Sequence, residues 1–288
     1  MTASDQARAN EPLYLFAHVA KAGGTTVEDV LARRFGDRLQ RTNPRPGNRS
    51  WPQVREPRCY SGHDCEVAAT VGAARDDVRW LSWVRDPLRM AVSTYYYLRD
   101  VLVRQHPPGE LFEDRGLRTW LLHEGRGGWP LPDGYGHDRM SYVVEHTTGS
   151  FDAFAFVGVT ERFAESMLLM FDVLGWQPIV YRALNPTRAR RTAEEQAVID
   201  DPDVRAAFRE RNQRDYALYE AANARLDELR AAAGADFAAR LAAYERRVAA
   251  VERRRRLLLE NGLTNLARRG WRAVYDRWMQ AKVARRDG

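Results

Sequence analysis

Lys21 lies just before a glycine pair in the stretch Leu13-Tyr14-Leu15-Phe16-Ala17-His18-Val19-Ala20-Lys21-Ala22-Gly23-Gly24-Thr25-Thr26. These residue types suit an anion. Backbone N–H groups at the start of a helix point at negative charge, and glycines let the backbone come close. A lysine adds a point contact to a phosphate oxygen. Lys21 is one of two lysines among 45 basic residues, so lysine here departs from the chain's general use of arginine. In a Walker A loop the lysine follows the last glycine. Here it precedes Gly23-Gly24, and the hydroxyls of Thr25 and Thr26 follow. That order disfavours an ordinary P-loop NTPase but keeps its strand–loop–helix physics. The plainer alternative is a strand-to-helix turn with a solvated lysine.

The elements that would hold this chemistry are legible nearby. Leu13–Ala17 has the apolar character of a buried strand, and a helix is expected from the glycine pair onward. Val78-Arg79-Trp80-Leu81-Ser82-Trp83-Val84 is a second β-prone run, ending abruptly in Arg85-Asp86-Pro87. A helical stretch follows over 88–98, with Pro87 suited to its first turn and Asp86 to its N-cap. Arg85 would then stand at the carboxyl end of a strand, where open α/β sheets bind ligands. Ser93, about two turns into the helix, would face the same crevice. An arginine fork with a hydroxyl suits a terminal phosphate. The competing reading is a surface Arg–Asp pair with a core-facing serine.

Length and composition bound the rest. A chain of 288 residues can bury a full core. Strands alternating with helical segments indicate an α/β class. No apolar run is long enough to span a bilayer, and residues 1–11 are polar without the apolar core of a signal peptide, so a cytoplasmic location is expected. Cys59 and Cys65 cannot make a disulfide framework, and no His/Cys spacing fits zinc, so no metal is expected. The net charge of +6 suits a polyanionic substrate, nucleic acid or anionic lipid alike, but no nucleic-acid motif accompanies it. The arginine and alanine bias suggests a GC-rich bacterial genome.

Residues 36–58 and 104–138 carry the Pro, Gly and Asn of surface loops. Trp120, Trp129, Tyr135 and His137 in the second loop would either line an acceptor site or plug the core. From Thr192 onward the pattern is helical, with a break at Ala231–Ala235. The boundaries expected are a polar segment at 1–11, a main domain at 12–233, and a basic helical extension at 234–288. In that extension Trp271 and Trp278 recur among arginines. This profile fits an anionic membrane surface or a homodimer contact, and equally a helix packed on its own domain.

Taken together, these segments resemble the sulfotransferases that use 3′-phosphoadenosine-5′-phosphosulfate (PAPS), nearest the carbohydrate, heparan 2-O-sulfotransferase-like type (sulfotransferase family 2). His18 to Thr26 follows that family's H-x-P-K-T-G-G-T pattern and the hydroxyl residue after it. Arg85 to Tyr96 follows R-D-P-x-x-R-x-x-S-x-Y-Y throughout. Phe156 to Phe163 and Asn212 to Tyr219 supply two further likenesses, so the resemblance spans about residues 12–225 in order and spacing. Ala20 stands where the family has Pro, and Ala22 where it often has Thr, which removes a hydroxyl but no backbone donor.

The resemblance implies a P-loop-like three-layer fold with a central parallel sheet between helices. It implies a PAPS-dependent sulfotransferase acting on a small-molecule or glycan hydroxyl, with Lys21 and the backbone of Ala22, Gly23, Gly24, Thr25 and Thr26 at the 5′-phosphosulfate. Arg85 and Ser93 would take the 3′-phosphate. Arg188, in Asn185-Pro186-Thr187-Arg188, would help cap the nucleotide. His63, on a Gly-His turn between the two motifs, would be the general base, as a histidine is in that family. An imidazole titrates in the right range. His18 is the weaker candidate because it lies on the strand before the cradle, and His137 or Glu161 would be next. The alternatives are a phosphoryl-transfer enzyme with a variant P-loop, revealed by Mg²⁺-dependent ATP turnover, and a non-catalytic nucleotide-binding or membrane-surface protein.

Overall fold

The apolar runs become the middle of a five-stranded parallel sheet in the computed structural model, which describes residues 11–42, 54–63, 65–97, 99, 116–122, 139–184 and 192–260. The strands are β1 (Leu13–Ala17), β2 (Leu39–Thr42), β3 (Cys59–Gly62), β4 (Val78–Val84) and β5 (Phe154–Val159), in spatial order β2-β3-β1-β4-β5. Every pairing is parallel. Such sheets are covered on both faces, which explains why β1 is buried at all its positions and why its sequence is continuously apolar rather than alternating.

Helices fill the crossovers. They are α1 (Gly24–Phe35), α2 (Cys65–Ala73), α3 (Pro87–Tyr97), α4 (Leu117–Leu122), α5 (Arg139–Glu145), α6 (Phe163–Leu174), α7 (Ala193–Asp200), α8 (Pro202–Arg211), α9 (Gln213–Ala232) and α10 (Phe237–Glu260). Two regions expected to be loops contain elements. Residues 36–58 include β2 and end against β3, and residues 104–138 include α4. β2 is an edge strand of sequence LQRT, and its apolar content is too low to announce a strand.

The main core lies between the sheet and α1, α6 and α9, with Phe16, Val30, Trp83, Phe156 and Phe171 fully enclosed. A second cluster gathers Leu88, Val92, Tyr95, Leu121, Val204 and Phe208 between α3, α4 and α8. Trp120 belongs there: its Nε1 donates to the Ala91 carbonyl at 3.1 Å. Trp129, Tyr135 and His137 lie outside the described residues. α10 packs on the main core through Phe237 and Tyr244, and the Tyr244 hydroxyl donates to the Ile179 carbonyl at 2.8 Å. The basic tail beyond Glu260 lies outside the described residues. Among the described residues, no helix is long and apolar enough to cross a membrane.

One buried carboxylate ties the last helices to the rest. Asp215 on α9 is 1% exposed and accepts from the Met140 and Ser141 amides and the Ser141 hydroxyl at 3.2, 2.8 and 2.9 Å. It satisfies the orphan donors at the start of α5 from across the fold. Asp215→Ala is expected to lower stability by about 3 kcal/mol, since several buried donors lose a charged acceptor at once. Urea unfolding should show an earlier midpoint with an unchanged slope, and an unmoved midpoint would contradict this role.

Candidate active site

Four neighbouring strands end at one crevice. β1 leads into His18 and the Lys21 loop, β3 into His63, β4 into Arg85, and β5 into Thr160. The strand order reverses direction at β1, so the crevice outside these carboxyl ends is the position where open α/β sheets take ligands. It holds a cavity of about 480 Å³ bounded by His18, Lys21, Gly23, Gly24, Thr25, Thr26, His63, Arg85, Ser93, Tyr97 and Thr160, with Phe163, Tyr181, Ala183 and Leu184 among the rest.

The loop after β1 is shaped for an anion. Lys21 and Gly23 both have left-handed backbone, with φ of 65° and 85°. For a lysine this conformation is strained by about 1–2 kcal/mol, so its surroundings must hold it. They do: Arg85 Nη1 donates to the Lys21 carbonyl at 3.0 Å. The Thr160 hydroxyl lies 2.6 Å from the Ala22 carbonyl and 2.9 Å from that of Val84, donating to one at a time. The Thr26 amide is closed by the Gly23 carbonyl at 3.0 Å. The amides of Gly23, Gly24 and Thr25 remain at the opening of α1, where the helix has no acceptors for them.

Gly24 has a further steric role. A Cβ there would fall 2.1 Å from His18 Cδ2, so the glycine is what lets the His18 ring lie against the loop.

The Lys21 ammonium rests 4.3 Å above the Tyr97 ring. Burial pushes its pKa down to about 8, and Arg85 and Arg139 push in the same direction. The site therefore concentrates positive charge with little solvent to relieve it, and an entering anion would relieve it. Ser93 and Tyr97, four residues apart, share the cavity face of α3, while Leu88 and Val92 face the second cluster. The Asp86 carboxylate caps α3 by accepting from the Arg89 amide at 2.8 Å, which fixes where Arg85 leaves the strand.

His63 stands opposite. Its Nδ1 is 2.7 Å from the His18 carbonyl, which can only accept, so the neutral ring carries its proton on Nδ1 and its basic lone pair on Nε2. Of the residues expected from the sequence, Lys21, Gly23, Gly24, Thr25, Thr26, His63, Arg85 and Ser93 surround this one cavity. Ala22 is fully buried and does not bound it. The Thr26 hydroxyl accepts from the Leu184 amide at 3.1 Å and so anchors the wall at 181–184. Arg188 lies outside the described residues. Glu161 is already engaged, accepting from the Asp86 amide at 3.2 Å and sitting 3.8 Å from Arg85 Nε.

Several site residues escape sequence reasoning. Tyr97, Thr160, Arg139, Glu28 and the wall residues Phe163 and Tyr181 arrive from distant segments. Their roles were not legible, although Tyr97 stands one helical turn beyond Ser93, Glu28 one turn after Gly24, and Thr160 and Phe163 within the likeness at Phe156 to Phe163. A second opening of about 630 Å³, which shares Arg85 with the first, mixes Arg89, Arg205 and Arg209 with Asp86 and Asp200. Its charges are partly matched internally, with Arg205 3.2 Å from Asp200. Among the described residues no group of three or more His, Cys, Asp or Glu is placed to hold a metal.

No protein-family model and no curated protein matches the sequence. Among solved structures the chain is similar to a sulfotransferase from Alicyclobacillus acidocaldarius, with 17% identity and a TM-score of 0.44 over 73% of this chain and 94% of that one. It is also similar to mouse sulfotransferase SULT7A1 complexed with PAP, with 17% identity and a TM-score of 0.40 over 76% of this chain and 83% of that one.

Proposed function

We propose that the chain transfers a sulfuryl group from PAPS to a hydroxyl of a carbohydrate or of a glycosylated or lipid-linked metabolite, releasing 3′-phosphoadenosine-5′-phosphate (PAP). The observation that carries this reading is the convergence, around one cavity, of an anion cradle with its lysine, an arginine–serine pair and a histidine base. The donor supplies an activated sulfuryl group whose departure leaves negative charge on the 5′-phosphate. Lys21 and the Gly23, Gly24 and Thr25 amides stabilise that charge. Arg85 and Ser93 hold the 3′-phosphate that separates this nucleotide from AMP. His63 Nε2 receives the acceptor proton.

Calorimetry with PAP against 5′-AMP tests the nucleotide. The 3′-phosphate should tighten binding, and Arg85→Ala should remove most of that preference, about 1.5–3 kcal/mol for a charge-assisted contact. Arg85 also holds the Lys21 carbonyl, so Ser93→Ala is the cleaner comparison: it should weaken PAP and leave AMP unchanged. Equal affinity for the two nucleotides would overturn the reading. An acceptor screen with labelled PAPS, read as the gain of one sulfonate by mass spectrometry, then identifies the hydroxyl.

A further inference from the structure

Behind His63 stands a group of buried side chains that the transfer just described leaves unused. The His18 ring lies 4.1 Å from that of His63, centroid to centroid, at an interplanar angle of 30°. On its other side His18 stacks on Phe16. Its Nδ1 lies 3.1 Å from Glu28 Oε1, and the Ser61 hydroxyl donates to the same oxygen at 2.7 Å. Three elements supply the group: His18 comes from the end of β1, Glu28 from one turn inside α1, and Ser61 and His63 from β3 and its exit.

We propose that Glu28, acting through His18, is a positioning residue for His63: it holds the His18 platform in place and balances the charge that His63 gains on taking a proton. The inference rests on the reading of His63 as the acceptor's base. In that step the acceptor O–H bond breaks, its proton joins Nε2 of His63, and the oxygen keeps the electron pair with which it bonds to sulfur, while the bond from sulfur to the bridging oxygen of the 5′-phosphate breaks and the phosphate leaves with that pair. The imidazolium so formed stands close against a second imidazole, tilted by 30° to it, and two such rings resist a shared positive environment.

A carboxylate beside them changes the balance. Burial alone would raise the Glu28 carboxyl, but the His18 hydrogen bond and charge, the Ser61 hydroxyl and His63 bring it down to about 2. Glu28 is therefore negative across the working range. Among the described residues, the other titratable groups facing this cluster are Lys21 and Arg85 across the cavity and Cys59 on β3, whose thiol burial keeps neutral. None of these supplies negative charge, so among the described residues Glu28 is the group that compensates the pair.

Proton NMR titration of the whole chain reads this without any acceptor. The chain has six histidines, and the His63 signal is assigned by its loss in His63→Asn. In Glu28→Gln the His63 pKa should fall by about one unit or more, the effect of losing a nearby opposite charge. Ser61→Ala, which leaves the carboxylate and its charge in place, should shift it much less. With an acceptor in hand, the acid limb of kcat should move down by a matching amount in Glu28→Gln, with PAP affinity unchanged. A His63 titration unmoved in both variants would overturn the inference whatever the reaction. A shifted titration with no sulfuryl transfer to any acceptor would instead overturn the catalytic reading and leave the coupled pair standing.

Discussion

His63→Ala is expected to lower kcat by about 10²–10⁴-fold, the range for loss of a positioned general base, or about 3–5 kcal/mol in the barrier. Nucleotide affinity should stay nearly constant, because the proposed role sets His63 at the acceptor hydroxyl rather than at the phosphates. The geometry supports a base and not merely a polar wall. The Nδ1 contact to the His18 carbonyl commits the neutral tautomer, and the strand end at Gly62 aims the ring at the cavity. His63→Gln, which keeps polarity without basicity, should fall with His63→Ala. Single-turnover kinetics with the true acceptor decide it. Turnover near that of the wild type in both variants would mean that the base lies elsewhere.

Lys21→Ala should behave differently, weakening both PAP binding and turnover. Loss of one donor to developing charge typically costs about 10²–10³-fold in rate. The wild-type lysine also predicts a pH signature. With its pKa lowered to about 8 in the empty site, the ammonium is largely present at neutral pH and largely lost a unit above 8. Only the charged form attracts phosphate, so affinity should fall as pH rises through that value. Binding should then draw protons onto Lys21, seen as a buffer-dependent heat in calorimetry near pH 8–9 and absent in Lys21→Ala. Proton uptake equal in the two proteins would assign the effect to another group. Lys21→Arg should not restore activity. The wider guanidinium fork must fit the same left-handed loop and the Tyr97 face, and it lacks the compact charge.

How much of this was legible in the sequence follows from the range of the forces involved. β1 announces itself because a strand buried on both faces must be apolar along its length, β4 through the β-prone run that buries its second half, and α3 because Asp86 and Pro87 mark its start locally. The site residues adjacent to those strand ends came with them. β2 was hidden because its pairing with β3, not its composition, makes it a strand. Glu28 was hidden for a related reason: it looks like any helix glutamate until the sheet brings His18 and Ser61 to it. The one local hint was a carboxylate a turn after Gly24, on the side where the cradle opens. Thr160 lies in the stretch Phe156 to Phe163 that the sequence singles out, but its role does not show there, since its contact with the loop spans 138 residues; that of Arg139 with α3 spans 45.

The parallel topology has a consequence for how the molecule comes into being on the ribosome. β1 sits at the centre of the sheet yet is made first, and its two neighbours begin only at Cys59 and Val78. Until then an apolar central strand has no partner on either edge, a state open to aggregation and to chaperone capture. The Lys21 loop waits longer. Its bolt, Thr160, is 138 residues downstream of Ala22, and the wall pinned to Thr26 is 158 residues from it. A growing chain therefore carries the Lys21 loop through the synthesis of some 158 further residues without all the contacts that hold it in its strained shape. No shortened product ending before β5 would present a formed cradle, and competence for anion binding should appear abruptly, late and all at once.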